Sequence, residues 1–158
     1  IRIGDWSSDV CSSDLGGKTY MNKDDCIFCK IANGEIPSAT VYEDSICRVI
    51  LDVNPANKGH ALIIPKEHFD NIYSMDAETA AKIFTIATEV AKAQKAELNP
   101  DGLNILQNNG EAAGQTVFHF HMHLVPRYIK DNVTMTWIPG KADTEELSAL
   151  SKALRKRI

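Results

Sequence analysis

Three of the five histidines occupy every second position in His119-Phe120-His121-Met122-His123-Leu124-Val125. A strand sends alternate side chains to opposite faces, which puts the three imidazoles on one face, about 7 Å apart residue to residue. Phe120, Met122 and Leu124 then face the core. The aromatic and apolar content, with Pro126 as a stop, suits a strand over 116–126. A helix would scatter the rings around its circumference. Imidazoles in such a row can converge on one ion, the arrangement of a metal-dependent hydrolase. A second pair with chemistry is Cys26-x-x-Cys29. Its spacing fits two ligands of a structural zinc site, a redox dithiol, or two plain buried thiols. No βαβ pattern surrounds it, which counts against the dithiol, and Cys47 reads as a buried thiol.

Positioning these residues takes a small α+β frame. Cys26 to Ile31 begins a short turn or helix that Asn33-Gly34 stops. Thr40 to Glu43 and Ile46 to Leu51 read as a hairpin around Asp44-Ser45, and His60 to Pro65 as a third strand. The Asn, Pro and Gly content of residues 52–59 marks a loop. The spacing predicts a long helix over 76–98, capped by Asp76, with Ala80, Ile83, Phe84, Ala87, Val90 and Ala91 toward the core. Leu103 to Gln107 is a fourth strand and residues 108–115 a Gly- and Asn-rich loop. A final amphipathic helix over 143–157 carries Leu147, Leu150 and Leu154 on one stripe.

The 158 residues are enough for one domain with a proper core. A net charge of −4, with no basic block before Arg155-Lys156-Arg157, excludes nucleic-acid binding through a broad basic surface. No apolar run approaches the ~18 residues of a membrane span. The first twenty residues resemble translated sequencing-adapter sequence: Ser7-Ser8-Asp9-Val10 nearly repeats as Ser12-Ser13-Asp14-Leu15. Residues 1–20 are therefore expected to be a non-native leader, with the natural start at Met21 and a single domain over 21–158. The stretch lacks the long apolar run of a secretory signal. A cytoplasmic, reducing location is expected, in which Cys11, Cys26, Cys29 and Cys47 stay reduced.

Gly114-Gln115-Thr116-Val117-Phe118 followed by the histidine row and Pro126-Arg127 resembles the signature of the histidine-triad (HIT) family, His-φ-His-φ-His-φ-φ with φ apolar. Asp25-Cys26-Ile27-Phe28-Cys29-Lys30-Ile31, Leu51-Asp52, and Lys58-Gly59-His60 through Pro65-Lys66-Glu67-His68 fall in the expected order. The resemblance covers about residues 24–130 and is strongest to compact bacterial members. It implies a five-stranded antiparallel sheet with one long and one C-terminal helix, a homodimer, and hydrolysis or nucleotidyl transfer at the α-phosphate of a purine nucleotide.

The same resemblance assigns roles. His121 would be the nucleophile and form a nucleotidyl-histidine, since neutral imidazole can approach an anion. His123 would donate to a phosphate oxygen or protonate the leaving group. His60 would support them, and His119 completes the catalytic set. Gly114, Gln115 and Thr116 would receive the phosphate, through N–H groups and the Thr116 hydroxyl. Asn108 would contact the phosphate side, Asp52 the ribose hydroxyls, and Val53 and Asn54 the sugar or base. Trp137 is a candidate to cap a pocket or to pack as an apolar side chain. Members with the Cys pair often complete a structural zinc site with histidines matching His68 and His119; no catalytic metal is then required. A nucleoside 5′-phosphoramidate is the expected substrate, and a dinucleoside polyphosphate the alternative. A metal hydrolase and a nucleotide-binding module with little turnover remain as other readings.

Overall fold

The computed structural model describes residues 24–158, so the leader and Cys11 lie outside the described residues. Five antiparallel strands form one sheet in the order β1-β2-β3-β5-β4: β1 (Thr40–Glu43), β2 (Cys47–Leu51), β3 (Ala61–Pro65), β4 (Gly102–Leu106) and β5 (Met122–Arg127). Helices α1 (Ile27–Ala32), α2 (Ala77–Leu98) and α3 (Thr144–Arg155) complete the α+β architecture.

All of β3 is buried because the sheet is covered on both faces. Ala61 and Ile63 face one way, into a cluster with Ile83, Ala87 and Val90 of α2. Leu62 and Ile64 face the other way, into a cluster with Ile27, Phe28 and Ile31 of α1. This period-two alternation sorts the triad segment as well. Phe120, Met122 and Leu124 join the α2 side. His121 packs on Phe28 of α1, on the opposite face.

Local chemistry explains where the elements stop. Asp44 Oδ1 accepts from the N–H groups of Ile46 and Cys47, each at 2.8 Å, and so closes the β1–β2 hairpin. The Asp76 carboxylate accepts from Thr79 N–H at 2.8 Å and caps α2. Asn99, at φ 42°, ends that helix in the left-handed region. Gly59 has φ +86°, and a Cβ there would collide with the Leu98 side chain. Glycine is therefore required where the loop before His60 meets the end of α2.

Four expectations change. The triad strand begins at Met122, not at residue 116. Its neighbours end first: β4 last pairs through Leu106↔His123, and β3 through Ile63↔Met122. Residues 116–121 have no ladder to join, and Phe120 N–H bonds to Phe69 O instead. Phe84 is 56% exposed, because the buried stripe of α2 runs through Ile83, Ile86, Ala87, Val90 and Gln94. Helix α3 carries the expected leucine stripe, but every residue of it is exposed. Trp137 is 83% exposed, which does not fit packing as a buried apolar side chain among the described residues. Among the described residues no helix is long and apolar enough to cross a membrane.

Candidate active site and metal cluster

The end of the sheet where β3 and β5 meet carries two separate histidine groups. The first contains His121, His123 and His60, all buried. His121 Nδ1 lies 2.7 Å from the His119 carbonyl oxygen, so Nδ1 carries the hydrogen and donates it. The lone pair of His121 is thereby on Nε2. Phe28 meets the ring edge-on at 4.8 Å between centroids and fixes its plane.

His60 and His123 are linked in series. The Ala56 N–H donates to His60 Nδ1 at 3.1 Å. His60 Nε2 therefore carries hydrogen and donates to His123 Nδ1 at 3.0 Å. This in turn leaves the hydrogen of neutral His123 on its Nε2. Burial pushes His121 down to about 4 and His123 down to about 2, the latter helped by the neighbouring imidazoles of His121 and His60. Burial also lowers His60, against the pull of the Asp52 carboxylate. All three rings are neutral at pH 7.

A small cavity beside this group is lined by Phe28, Ile31, Ile50, Asp52, Val53 and Leu62, among others. Leu62 is the register partner of His123, so cavity and imidazoles share a wall. Asp52 Oδ1 accepts from Asn54 N–H at 2.8 Å, whereas buried Asp52 Oδ2 has no hydrogen-bond partner. This oxygen lies 3.7 Å from His60 Nδ1. Val53 is 77% exposed at the cavity mouth. Asn54 contributes its backbone to the turn.

On the other side, Asn108 lies just past Leu106, the register partner of His123. Gly114 has φ +89°, a conformation that favours glycine, and a Cβ added there would meet the Asn108 amide nitrogen at 3.7 Å. Thr116 is half-buried. Gln115 departs from expectation. Its N–H donates to Gly110 O at 3.1 Å within the loop. Its side chain is buried in the loop, accepting from Gly110 N–H and donating to Asp70 O and Val117 O. Gln115 braces the loop rather than lining the site.

The second group is Cys26, Cys29, His68 and His119, whose ligand atoms all lie within 4.8 Å of one another. His119 was expected in both groups, and its ring belongs only here. His119 Nε2 donates to Pro65 O at 2.9 Å, and His68 Nε2 donates to Asp70 Oδ1 at 2.9 Å. Both Nδ1 lone pairs therefore point inward, 3.2 Å apart, with neither hydrogen available between them. Cys29 Sγ is 3.2 Å from His68 Nδ1 and 3.4 Å from His119 Nδ1, and Cys26 Sγ is 3.4 Å from His119 Nδ1. Hydrogen bonding from Cys29, against burial and with help from the His119 and His68 rings, pushes Cys26 down to about 2. Two thiols and two imidazole lone pairs at these separations fit a tetrahedral cation with bonds of about 2.0–2.3 Å. The outer partners Asp70 and Pro65 hold the rings as metal ligands require. The cluster can hold a metal ion.

Sequence reasoning missed three parts of this geometry. The His119 carbonyl and the Ala56 N–H are backbone groups, which no residue type announces. Asp70 had a usable signal, since an acidic residue two positions after a candidate ligand histidine is placed to accept its second hydrogen.

Comparison with known proteins agrees with this geometry. The HIT domain family model matches residues 33–130. The chain is 46% identical over 138 residues to Protein hit of Bacillus subtilis, covering 85% of this chain and 95% of that protein. It is 37% identical to the adenosine 5'-monophosphoramidase hnt1 of Schizosaccharomyces pombe over 134 residues, 84% of this chain and 98% of that one. Among solved structures it resembles a Zn-bound histidine triad family protein from Mycobacterium smegmatis, with TM-score 0.67 and 37% identity, covering 84% of this chain and 99% of that chain. Sequence, sheet order and the paired histidine groups converge on one conclusion: the chain belongs to the HIT family.

Proposed function

We propose that the protein hydrolyses purine nucleoside 5′-phosphoramidates at the α-phosphorus through a nucleotidyl-histidine on His121. The observation that carries this reading is the His121 hydrogen bond. Donation from Nδ1 to the His119 carbonyl at 2.7 Å leaves a neutral ring with its lone pair on Nε2. That nitrogen attacks phosphorus and the bond to the leaving amine breaks. His123 Nε2–H, held in that form by His60, gives its proton to the departing amine, and the negative charge this leaves on His123 is offset by the positive charge of the phosphorylated His121 ring, 4.9 Å away between centroids. Water then attacks the phosphorus, returns a proton to His123, and releases the nucleoside monophosphate with His121 free again. The unpartnered Asp52 oxygen accepts a ribose hydroxyl, with Val53 and Asn54 at the sugar and base. Asn108, Gly114 and Thr116 take the phosphate side.

The named activity of the fission-yeast relative supports a phosphoramidate over a dinucleoside polyphosphate. So does Arg127, whose guanidinium is engaged by Asp131 at 2.7 Å and 2.8 Å and is not available to hold extra phosphates. Zinc at Cys26, Cys29, His68 and His119 would pin α1 to the segment before β5 and takes no part in the chemistry. Thiol ligands of this kind suit the reducing cytoplasm. A homodimer through the β4 edge is supported by the sheet order, in which β4 pairs with β5 alone among the described residues. Its free edge lies beside an apolar groove of Ile72, Met75, Phe84 and Ile105. An unpaired edge next to an apolar groove is a natural place for a second copy. The test is acid quench during turnover of an adenosine 5′-phosphoramidate. Adenylate attached to His121 is expected; turnover without labelled histidine, or undiminished turnover in His121→Asn, overturns the reading.

A further inference from the structure

Asp131, the partner of Arg127, is the most heavily bonded carboxylate of the described chain's loops. Its Oδ2 accepts from Arg127 Nε at 2.7 Å, Asn57 Nδ2 at 2.8 Å and Tyr128 N–H at 2.9 Å. Its Oδ1 accepts from Arg127 Nη2 at 2.8 Å and Val133 N–H at 3.1 Å. Arg127 is held further by Asn104 Oδ1 and Val133 O, each at 2.7 Å. Asn57 also donates to Pro126 O at 2.9 Å. The chain after β5 is thus clamped to the 52–59 loop through one amide side chain.

That loop decides how His60 is protonated. The Asn57 carbonyl accepts the His60 backbone N–H at 3.1 Å. The preceding residue, Ala56, aims its N–H at His60 Nδ1, 3.1 Å away. A competitor stands close: Asp52 Oδ2, buried and without a partner, is 3.7 Å from the same nitrogen. With Ala56 in place, Nδ1 must be an acceptor and the hydrogen sits on Nε2. If the loop drifts, Nδ1 can instead carry hydrogen and donate to Asp52. His60 Nε2 then presents a lone pair to His123 Nδ1, 3.0 Å away, and draws the His123 hydrogen to that nitrogen. His123 Nε2 becomes an acceptor and can no longer protonate a leaving group.

We infer that Asp131 and Asn57 are positioning residues that hold His60, and through it His123, in the tautomer that donates a proton to the departing group. The inference rests on the role of His123 given under the proposed function. It makes a specific demand. Losing the clamp should matter when the leaving group needs a proton and not otherwise.

The experiment compares Asp131→Asn and Asn57→Ala with the unaltered protein on two substrates. One is an adenosine 5′-phosphoramidate of an alkylamine, which cannot leave unprotonated. The other is the p-nitrophenyl ester of AMP, whose phenolate leaves without a proton. For the amine substrate, kcat should fall about tenfold with KM unchanged, a fraction of what general acids supply. For the phenyl ester kcat should hold within about twofold. Equal losses on both substrates, or no loss on the amine, overturn the inference. Nitrogen-15 spectra of the histidines provide a readout independent of variant folding. His60 and His123 of the unaltered protein should both be protonated at Nε2, and a His60 protonated at Nδ1 overturns the inference even if Asp131→Asn does not fold. Failure of the underlying reading looks different: the unaltered protein would then turn over without labelling His121.

Discussion

The two histidine groups draw on one sequence motif, and its members His119 and His121 differ in which ring nitrogen is tied down. His119 and His68 donate through Nε2, to Pro65 O and Asp70, and turn Nδ1 inward toward two thiols. His121 donates through Nδ1, to the His119 carbonyl, and presents Nε2. The acceptor position therefore separates the ring proposed as a metal ligand from the ring proposed as the nucleophile, although the residues are two apart in the chain. The second difference is charge. The ligand group includes a thiol held far below its usual range, which suits a cation. The other group contains neutral rings beside an unpartnered carboxylate oxygen, which suits a neutral hydroxyl donor. Residue type alone would not have separated them.

Substitutions that cut only one group sharpen this contrast. The largest effect is expected for His121→Asn, which removes the nitrogen proposed to attack. Turnover should fall by about 10⁴-fold or more, with metal content and melting temperature little changed. His119→Ala should do the reverse. The carbonyl that holds His121 is backbone and survives the change, so the chemical step should persist in the folded fraction. Bound zinc, measured by metal analysis, should be lost, and stability should drop by several kcal/mol. If His119→Ala abolishes turnover in protein that remains folded, the two groups are not separable.

His123→Ala should come next, costing about 10²–10³-fold on amine-leaving substrates. Steady-state rates on an amine and a phenol leaving group measure the split.

The smallest effect is on the pH dependence of stability. An unfolded histidine binds a proton near pH 6.5. Buried His123 stays neutral down to about 2, and His60 is lowered too. Between those values the unfolded chain binds more protons. Stability is therefore full above about pH 6.5 and falls as the solution is acidified, by on the order of 1 kcal/mol per pH unit for each such histidine. Urea unfolding of metal-loaded protein at pH 7.5 and 5.5 checks the sign. Greater stability at pH 5.5 would mean that these rings are charged in the folded state.

Much of the frame was legible because local rules dictate it. Alternating apolar residues placed the strands, Asp76 and Asn99 bounded α2, and Asp44 closed the hairpin. Face assignment within the triad also followed from period two, since Phe120 and Met122 do point to α2. Where neighbours mattered, the reading slipped. The strand at 116 required partners that β3 and β4 had ceased to supply. Phe84 fell on the edge of a helical stripe whose width only packing sets. Gln115 looked like a phosphate contact from its place beside Gly114, but its N–H and amide found closer partners within the loop.

The sequence by itself determined the histidine-triad family, the five strands and long helix, and a set of side chains that can do nucleophilic and metal chemistry. The strands, the helix and the set of side chains follow from residue type and periodicity, which are local properties, whereas the family came as a resemblance of the motifs around the histidine row. Tertiary structure decided which ring nitrogen each histidine offers, that Asp52 keeps one oxygen without a partner, and that Asp131 reaches the loop before His60. Each depends on a hydrogen bond between backbone or side-chain groups brought together by the fold, and on burial that keeps water from replacing them.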